Sequence, residues 1–457
     1  MLVGAASPYR WITATFFAVI AIGTLLLMLP VARTGAPAAP LGGYLATYGP
    51  TIGDGAPLSV ALFSATSATC VTGLIVVDTP SYFTTFGHVV LLILMEIGGL
   101  GTMTVAAFIA RAVRYHLSLR LRRDTAVAAS APGLGDLNRI LTLTVRIAAT
   151  AQGSAAVILA LRFYIGRHYS IGKSIWYGIF HAGSAYNNAG FALYTDSLMS
   201  FAGDPWVILT IAALIIVGGL GFPVIVELLR GRGIRSLQAY VVLWTTGCLI
   251  VFGTIFMAVC EWHNRYTLGP MRLDNKIINA FFTAVSPRTA GFNSIDLTHM
   301  HPSGWFGTDI LMLIGAAPAS TGGGLKVTTL AVVFAITWSQ VRGMDRVHIA
   351  RWRVADAVQG QVVTLLGLTS VLIVGATMVL MATTPYSLDR CLFEVISAFA
   401  TVGLTTGITP NLPSIAQVII ICLMLIGRVG PFTLAAALSM KQQPLLYDRP
   451  QGQLLVG

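Results

Sequence analysis

Apolar residues along this chain come in blocks of two lengths. Long blocks run near 12–31, 87–110, 139–161, 206–229, 238–260, 306–340, 361–382 and 414–440. A helix needs about 20 apolar residues to cross roughly 30 Å of hydrocarbon, so these blocks predict eight membrane spans. Between successive pairs lies a shorter apolar stretch, near 58–70, 174–187, 276–287 and 388–400. About 12 residues are too few to cross, and each stretch reads as a re-entrant half-helix.

Every short stretch runs into a small glycine-centred loop: VTGL at 71–74, NNAGF at 187–191, RTAGFN at 288–293 and TVGLTTG at 401–407. A second marker follows in the next long block of each unit, as EIGGLGTM from Glu96, VGGLGFPV from Val217, STGGGLKV from Ser320 and IGRVGPFT from Ile426. Two markers recurring in the same order predict an internal repeat. The units are 1–124, 125–236, 237–353 with a broken second helix, and 354–457 with the C-terminal tail. The predicted fold class is an all-α integral membrane protein. Four pseudo-symmetric helix/pore-helix/helix repeats supply eight transmembrane helices plus four re-entrant pore loops around one central pore.

Composition agrees. Of 457 residues, 55% are hydrophobic and 10% charged, against about 25% charged in soluble domains. The net charge of +11 could suggest a nucleic-acid binder, but the basic residues sit in short segments between apolar blocks. They cluster as Arg111, Arg114, Arg120, Arg122 and Arg123, as Arg230, Arg232 and Arg235, and as Arg342, Arg346, Arg351 and Arg353. This positive-inside bias places the clusters and both termini in the cytoplasm, with all four glycine loops dipping in from outside. Arg162, Arg167, Lys173, Arg265, Arg272 and Arg390 fall on the outer side, so the bias is incomplete. Cys70, Cys248, Cys260, Cys391 and Cys422 show no CxxC spacing and predict neither disulfides nor a metal. The first block follows Arg10 and precedes small residues at Ala36, Ala38 and Ala39, like a signal peptide. It is long for such a segment, and the repeat requires it, so it reads as a retained helix.

Four converging loops suit a cation. An ion leaving water must find other oxygens, and potassium channels supply them as rings of backbone carbonyls from four TVGYG loops. Glycine permits the φ values that turn successive carbonyls one way and lets four backbones crowd one axis. The C-terminal end of each short helix would add the negative pole of its dipole.

The loops VTGLIVVDT, AYNNAGF, PRTAGFNS and FATVGLTTG, with GAAPASTGGGLK at 315–326 and GRVGPFT at 427–433, resemble the Trk/Ktr/HKT superfamily of potassium transporters. Within it they look most like the KtrB-type membrane subunits of bacterial Ktr systems. The resemblance covers nearly the whole chain. It implies filter carbonyls at Cys70, Val71, Thr72 and Gly73; at Asn187, Asn188, Ala189 and Gly190; at Arg288, Thr289, Ala290 and Gly291; and at Ala400, Thr401, Val402 and Gly403, with potassium as the bound ion. Plant relatives that prefer sodium carry serine at the first glycine, so Gly73 favours potassium. Cys70 replaces the threonine or serine usual in the family.

Pro318 and the run Gly322, Gly323, Gly324 should break the sixth span. The resemblance makes Gly315 to Lys326 an intramembrane gate below the filter, with Ser320 and Thr321 offering hydroxyls; a kinked helix without a gating role is the plainer alternative. Lys326 and Arg428 are cations at membrane depth, where ionisable groups are costly. Arg428 could restrain flux electrostatically or simply pair with a neighbour. Glu96 is either such a partner or a neutral buried acid.

The chain has no GxxxxGK[ST] motif, so no nucleotide is expected on it. The resemblance implies a KtrA-like cytosolic ring that binds ATP or ADP beneath a homodimer, with sodium as a stimulating ion, in the bacterial inner membrane. Membrane lipid is the other expected partner, and nucleic acid is not. The competing transport reading is a sodium-conducting or potassium/proton-coupled relative. An intramembrane enzyme would need a catalytic set, and HExxH and GxSxG are absent. His88 and His181 lack ligand partners at metal spacing, and His181 reads as a packing or hydrogen-bonding residue.

Overall fold

A computed structural model describes residues 8–34, 55–116, 137–231, 233–344 and 346–430, with side chains for all of these except 8–13, 102–116 and 137–141. Arg120, Arg122, Arg123, Arg232, the residues after the first helix at Ala36, Ala38 and Ala39, and the last span beyond 430 lie outside the described residues.

In chain order the helices are α1 (Pro8–Leu27), α2 (Leu58–Thr69), α3 (Thr85–His116), α4 (Leu137–Arg167), α5 (Ile171–Tyr186), α6 (Pro205–Leu220) and α7 (Phe222–Leu229). They continue as α8 (Leu237–Glu261), α9 (Leu273–Val285), α10 (Pro302–Leu313), α11 (Val327–Val341), α12 (Asp356–Thr383), α13 (Leu388–Phe399) and α14 (Ser414–Val429). The four short apolar stretches are thus α2, α5, α9 and α13. Local chemistry sets several starts. Asp204 accepts from the Trp206 N–H with Pro205 next in line, and Ser236 accepts from the Ala239 N–H, both satisfying first-turn donors.

Among the described residues, three unbroken helices are long and apolar enough to cross a membrane, within α4, α8 and α12. The predicted span at 206–229 is not straight: α6 and α7 turn by 100° at Gly221, whose φ is 82°. The Phe222 N–H leaves the helix ladder there and donates to Ala319 O at 3.2 Å. The predicted span at 306–340 is broken as expected, into α10, an irregular segment and α11. A small hairpin not foreseen from sequence, β1 (His348–Ile349) with β2 (Trp352–Arg353), precedes α12.

Packing runs in a circle. Each short helix lies on the long helix before it, α2 on α1, α5 on α4, α9 on α8 and α13 on α12. Each also meets a helix of the preceding unit: α5 meets α3, α9 meets α6, α13 meets α10, and α2 meets α14. The core sits between short and long helices, where Phe63, Phe180, Phe282 and Phe393 are fully buried. Apolar side chains such as Phe252, Val259 and Val371 instead cover the outside. In water such a surface would be a liability; against hydrocarbon it is the expected finish.

Candidate functional site

The site begins where the short helices end. After α2, the N–H of Val71 donates to Ala68 O (3.1 Å) and that of Thr72 to Ser67 O (2.8 Å). The same pair of bonds follows α5, from Asn188 to Ala185 and Ala189 to Ser184, and α13, from Thr401 to Ala398 and Val402 to Ser397. This is the bond pattern of a helix end closed by a left-handed residue, a place usually given to glycine. Here it holds Val71 (φ 56°), Asn188 (φ 59°) and Thr401 (φ 51°), and Thr289 (φ 71°) occupies the matching place after α9. Three of these four are β-branched, for which left-handed backbone costs roughly 1–3 kcal/mol and persists only where the surroundings enforce it.

Two residues on, all four glycines have positive φ, at 92°, 72°, 77° and 93° for Gly73, Gly190, Gly291 and Gly403. Their backbones touch in order. A Cβ placed on Gly73 would lie 3.0 Å from the Cα of Gly190, and one on Gly190 would lie 3.0 Å from that of Gly291. One on Gly291 would lie 3.3 Å from the Cα of Gly403, and one on Gly403 would lie 3.0 Å from that of Gly73. The circle closes. The same four positions face the carbonyl oxygens of Ala189, Ala290, Val402 and Thr72, so oxygens accompany the glycines around the ring. No side chain fits at any of them without displacing its neighbour.

The second set of markers proves to be packing. Gly98, Gly218 and Gly427 lie against the last carbonyls of the short helices, those of Thr69, Tyr186 and Phe399. In the third unit Gly322 lies against Thr289 and Gly323 against Thr401, so the irregular segment sits immediately beside two of the loops.

That segment is held by backbone bonds. Gly315 N–H donates to Leu325 O (2.7 Å) and Val327 N–H to Ala316 O (3.3 Å). Ala317 and Thr321 donate to Gly219 O (3.0 Å) and Gly218 O (3.3 Å) at the end of α6. Pro318 precedes Ala319, which is left-handed at φ 56°, and Gly324 follows at φ 64°. The Ser320 hydroxyl donates to Ala317 O (2.6 Å) and that of Thr321 to Tyr186 O (3.2 Å). Lys326 Nζ donates back to Gly322 O (2.8 Å) and Gly323 O (3.4 Å).

Arg428 is buried and donates to Thr321 O and, at 2.6 Å, to Gly98 O. Glu96 receives Gln152 Nε2 at 3.3 Å instead, so of the alternatives left open by sequence, Glu96 is bound to α4 rather than to Arg428. Arg288 is buried too and sends its side chain outward to Thr246 on α8 (3.1 Å). Asn188 crosses from the second loop to Thr289 of the third (3.4 Å). Sequence reasoning missed the carbonyls of Gly218 and Gly219 as supports for the irregular segment. The GGLGFP run was their signal, since glycine pairs ahead of proline mark bends.

The spans and their apolar exterior define a helical membrane protein. Residues 46–446 match the TrkH family, described as cation transport protein, and the chain belongs to that family. It is 40% identical over 408 residues to the Ktr system potassium uptake protein B of Vibrio alginolyticus, covering 88% of this chain and 89% of that protein. With the Ktr system potassium uptake protein B of Bacillus subtilis it shares 35% identity over 456 residues, covering 99% and 97%. Among solved structures, the potassium transporter TrkH from Vibrio parahaemolyticus has a TM-score of 0.71 at 15% identity, covering 96% of this chain and 86% of that one, a likeness of fold.

Proposed function

We propose that this chain takes up potassium through a filter made by the four loops, with the carbonyls at 70–73, 187–190, 288–291 and 400–403 taking the place of the ion's water. The closed ring of Gly73, Gly190, Gly291 and Gly403 carries this reading: four backbones meet at one axis with no side chain between them, the arrangement that carbonyl selection requires. The circular packing supports four pseudo-symmetric units, 1–124, 125–236, 237–353 and 354–457, around one pore. The names of the relatives support potassium as cargo and a multi-component system. The segment from Gly315 to Lys326, with Arg428, is the gate in this reading. A KtrA-like nucleotide-binding ring on the basic cytoplasmic face regulates a homodimer, sodium stimulates uptake, and both termini are cytoplasmic.

The test is complementation of a potassium-uptake-deficient bacterium, with and without a co-expressed cytosolic subunit. Growth at low potassium is expected to need the chain and to improve with the subunit. Equal growth with all four filter glycines changed to Asp defeats the pore. Flux in liposomes under potassium or sodium gradients separates potassium uptake from a sodium-conducting relative.

A further inference from the structure

Two polar side chains occupy the same step of two short helices, nine residues ahead of the ring glycine: His181 ahead of Gly190 and Glu394 ahead of Gly403. Both are fully buried. Each reaches the limb of chain that climbs away from its own glycine. His181 Nε2 lies 3.2 Å from the Leu193 amide nitrogen and Nδ1 lies 2.7 Å from Tyr177 O. An amide N–H only donates and a carbonyl only accepts, so this ring is neutral with its proton on Nδ1. Glu394 Oε1 accepts from the hydroxyls of Thr405 and Thr409, the second at 2.5 Å. Thr405 Oγ1 in turn takes the Gly407 N–H at 2.9 Å, so the carboxylate holds Thr405 and, through it, Gly407 of TVGLTTG.

The corresponding residues in α2 and α9 are Ser64 and Phe282. Phe282 has no polar atom to offer, and among the described residues Ser64 makes no hydrogen bond to its own outer limb. At this step the braces alternate around the ring; the third loop is tied instead one turn later, where the Ser286 hydroxyl donates to Phe292 O. Gly190 and Gly403 each abut Gly73 and Gly291 but not one another, so the second and fourth loops face each other across the axis.

We infer that His181 and Glu394 are positioning residues that set ion selectivity, a pair of struts fixing the filter along one diagonal. The inference rests on the reading of the four loops as a filter. Carbonyls prefer the larger ion only while they are kept from closing on a smaller one. A limb tied through a buried side chain resists that closure in a way main-chain turns alone do not.

The full-length protein in liposomes provides the test, with potassium, rubidium and sodium fluxes measured side by side. Glu394→Ala is expected to lower the potassium-to-sodium flux ratio about tenfold while potassium still passes, the loss of a buried hydrogen-bonded acceptor being of that size. Glu394→Gln keeps one oxygen for the two threonines and restores most of the ratio. His181→Phe, which leaves the Leu193 N–H unpaired, lowers the ratio in the same direction, and Ser64→Ala leaves it unchanged. If Glu394→Ala does not fold, Glu394→Asp and Thr409→Val probe the strut from either end. A folded Glu394→Ala or His181→Phe protein with the wild-type ratio overturns the inference, as does an equal fall in all fluxes. A wild-type protein that passes potassium and sodium alike would instead sink the filter reading itself.

Discussion

Arg428 and Gly98 stand 330 residues apart in the chain and are joined by a 2.6 Å hydrogen bond from Nη2 to the glycine carbonyl. Because Arg428 also donates to Thr321 O, one guanidinium ties the irregular segment at 315–326 to α3. Its planar fork of donors suits two carbonyls at once, which a lysine ammonium matches less well.

Arg428→Ala leaves two buried carbonyls without this donor, at about 1–3 kcal/mol each. The segment is then expected to loosen, and a buried positive charge is removed. Basal potassium flux in liposomes lacking any cytosolic subunit should rise about tenfold, since roughly 1.4 kcal/mol suffices for that factor. Arg428→Lys should fall between the two. Unchanged flux in Arg428→Ala removes the restraint role.

Gly73→Ala places a Cβ 2.5 Å from Ala189 O on a backbone with φ 92°. A strained alanine costs roughly 1–3 kcal/mol, and the adjoining loop must move as well. Potassium uptake in the complementation strain is expected to fall more than about tenfold. Gly172→Ala, where nothing lies within 4 Å, is the matched control and should grow normally.

Glu261 closes α8 with a fully buried carboxylate. It accepts from Asn264 Nδ2 (2.6 Å), Thr267 Oγ1 (2.7 Å) and the His301 N–H (2.9 Å). In Glu261→Gln one of those donors would meet an NH₂ group, so even this small change is expected to destabilise the protein by about 2–4 kcal/mol. Thermal unfolding in detergent measures it. The potassium-to-sodium flux ratio should not move, because none of these groups belongs to the loops.

Asp296 predicts a pH effect. Partial burial pushes its carboxyl up, but hydrogen bonds from Thr298 and His299, together with the charge of His299, outweigh burial and hold it below the usual carboxylate range. A group depressed by folding contributes its stability in full above the unfolded value and loses it as pH falls through the folded one. The melting temperatures of wild type and Asp296→Asn should therefore differ at neutral pH and converge in strong acid. A constant difference across that range counts against the assignment.

The short helices and their loops were legible in the sequence because length and glycine are physical constraints that leave visible marks. Gly73, Gly190, Gly291 and Gly403 come together as their recurrence required. The bend at Gly221 was marked only by the GGLGFP run, and its partner was not legible, since the bond from Phe222 goes to Ala319 in another unit and apolar residues continue through the turn without a pause. Glu394 went unremarked for a different reason. Periodicity grades a polar residue in an apolar helix as an exception, and its meaning appears only when Thr405 and Thr409 fold back over it. For His181 the sequence reading as a hydrogen-bonding residue matches its contacts with Tyr177 and Leu193.

The bend also changes how the segment at 315–326 can respond. Ala317 and Thr321 donate to the end of α6, and Ala319 accepts from the start of α7, so the two stretches of broken helix hold one another like interlaced fingers. Neither can shift one residue at a time without stranding buried polar groups. In the proposed gate, release is then an all-or-none event, and a force on α7 would meet a threshold instead of a graded valve.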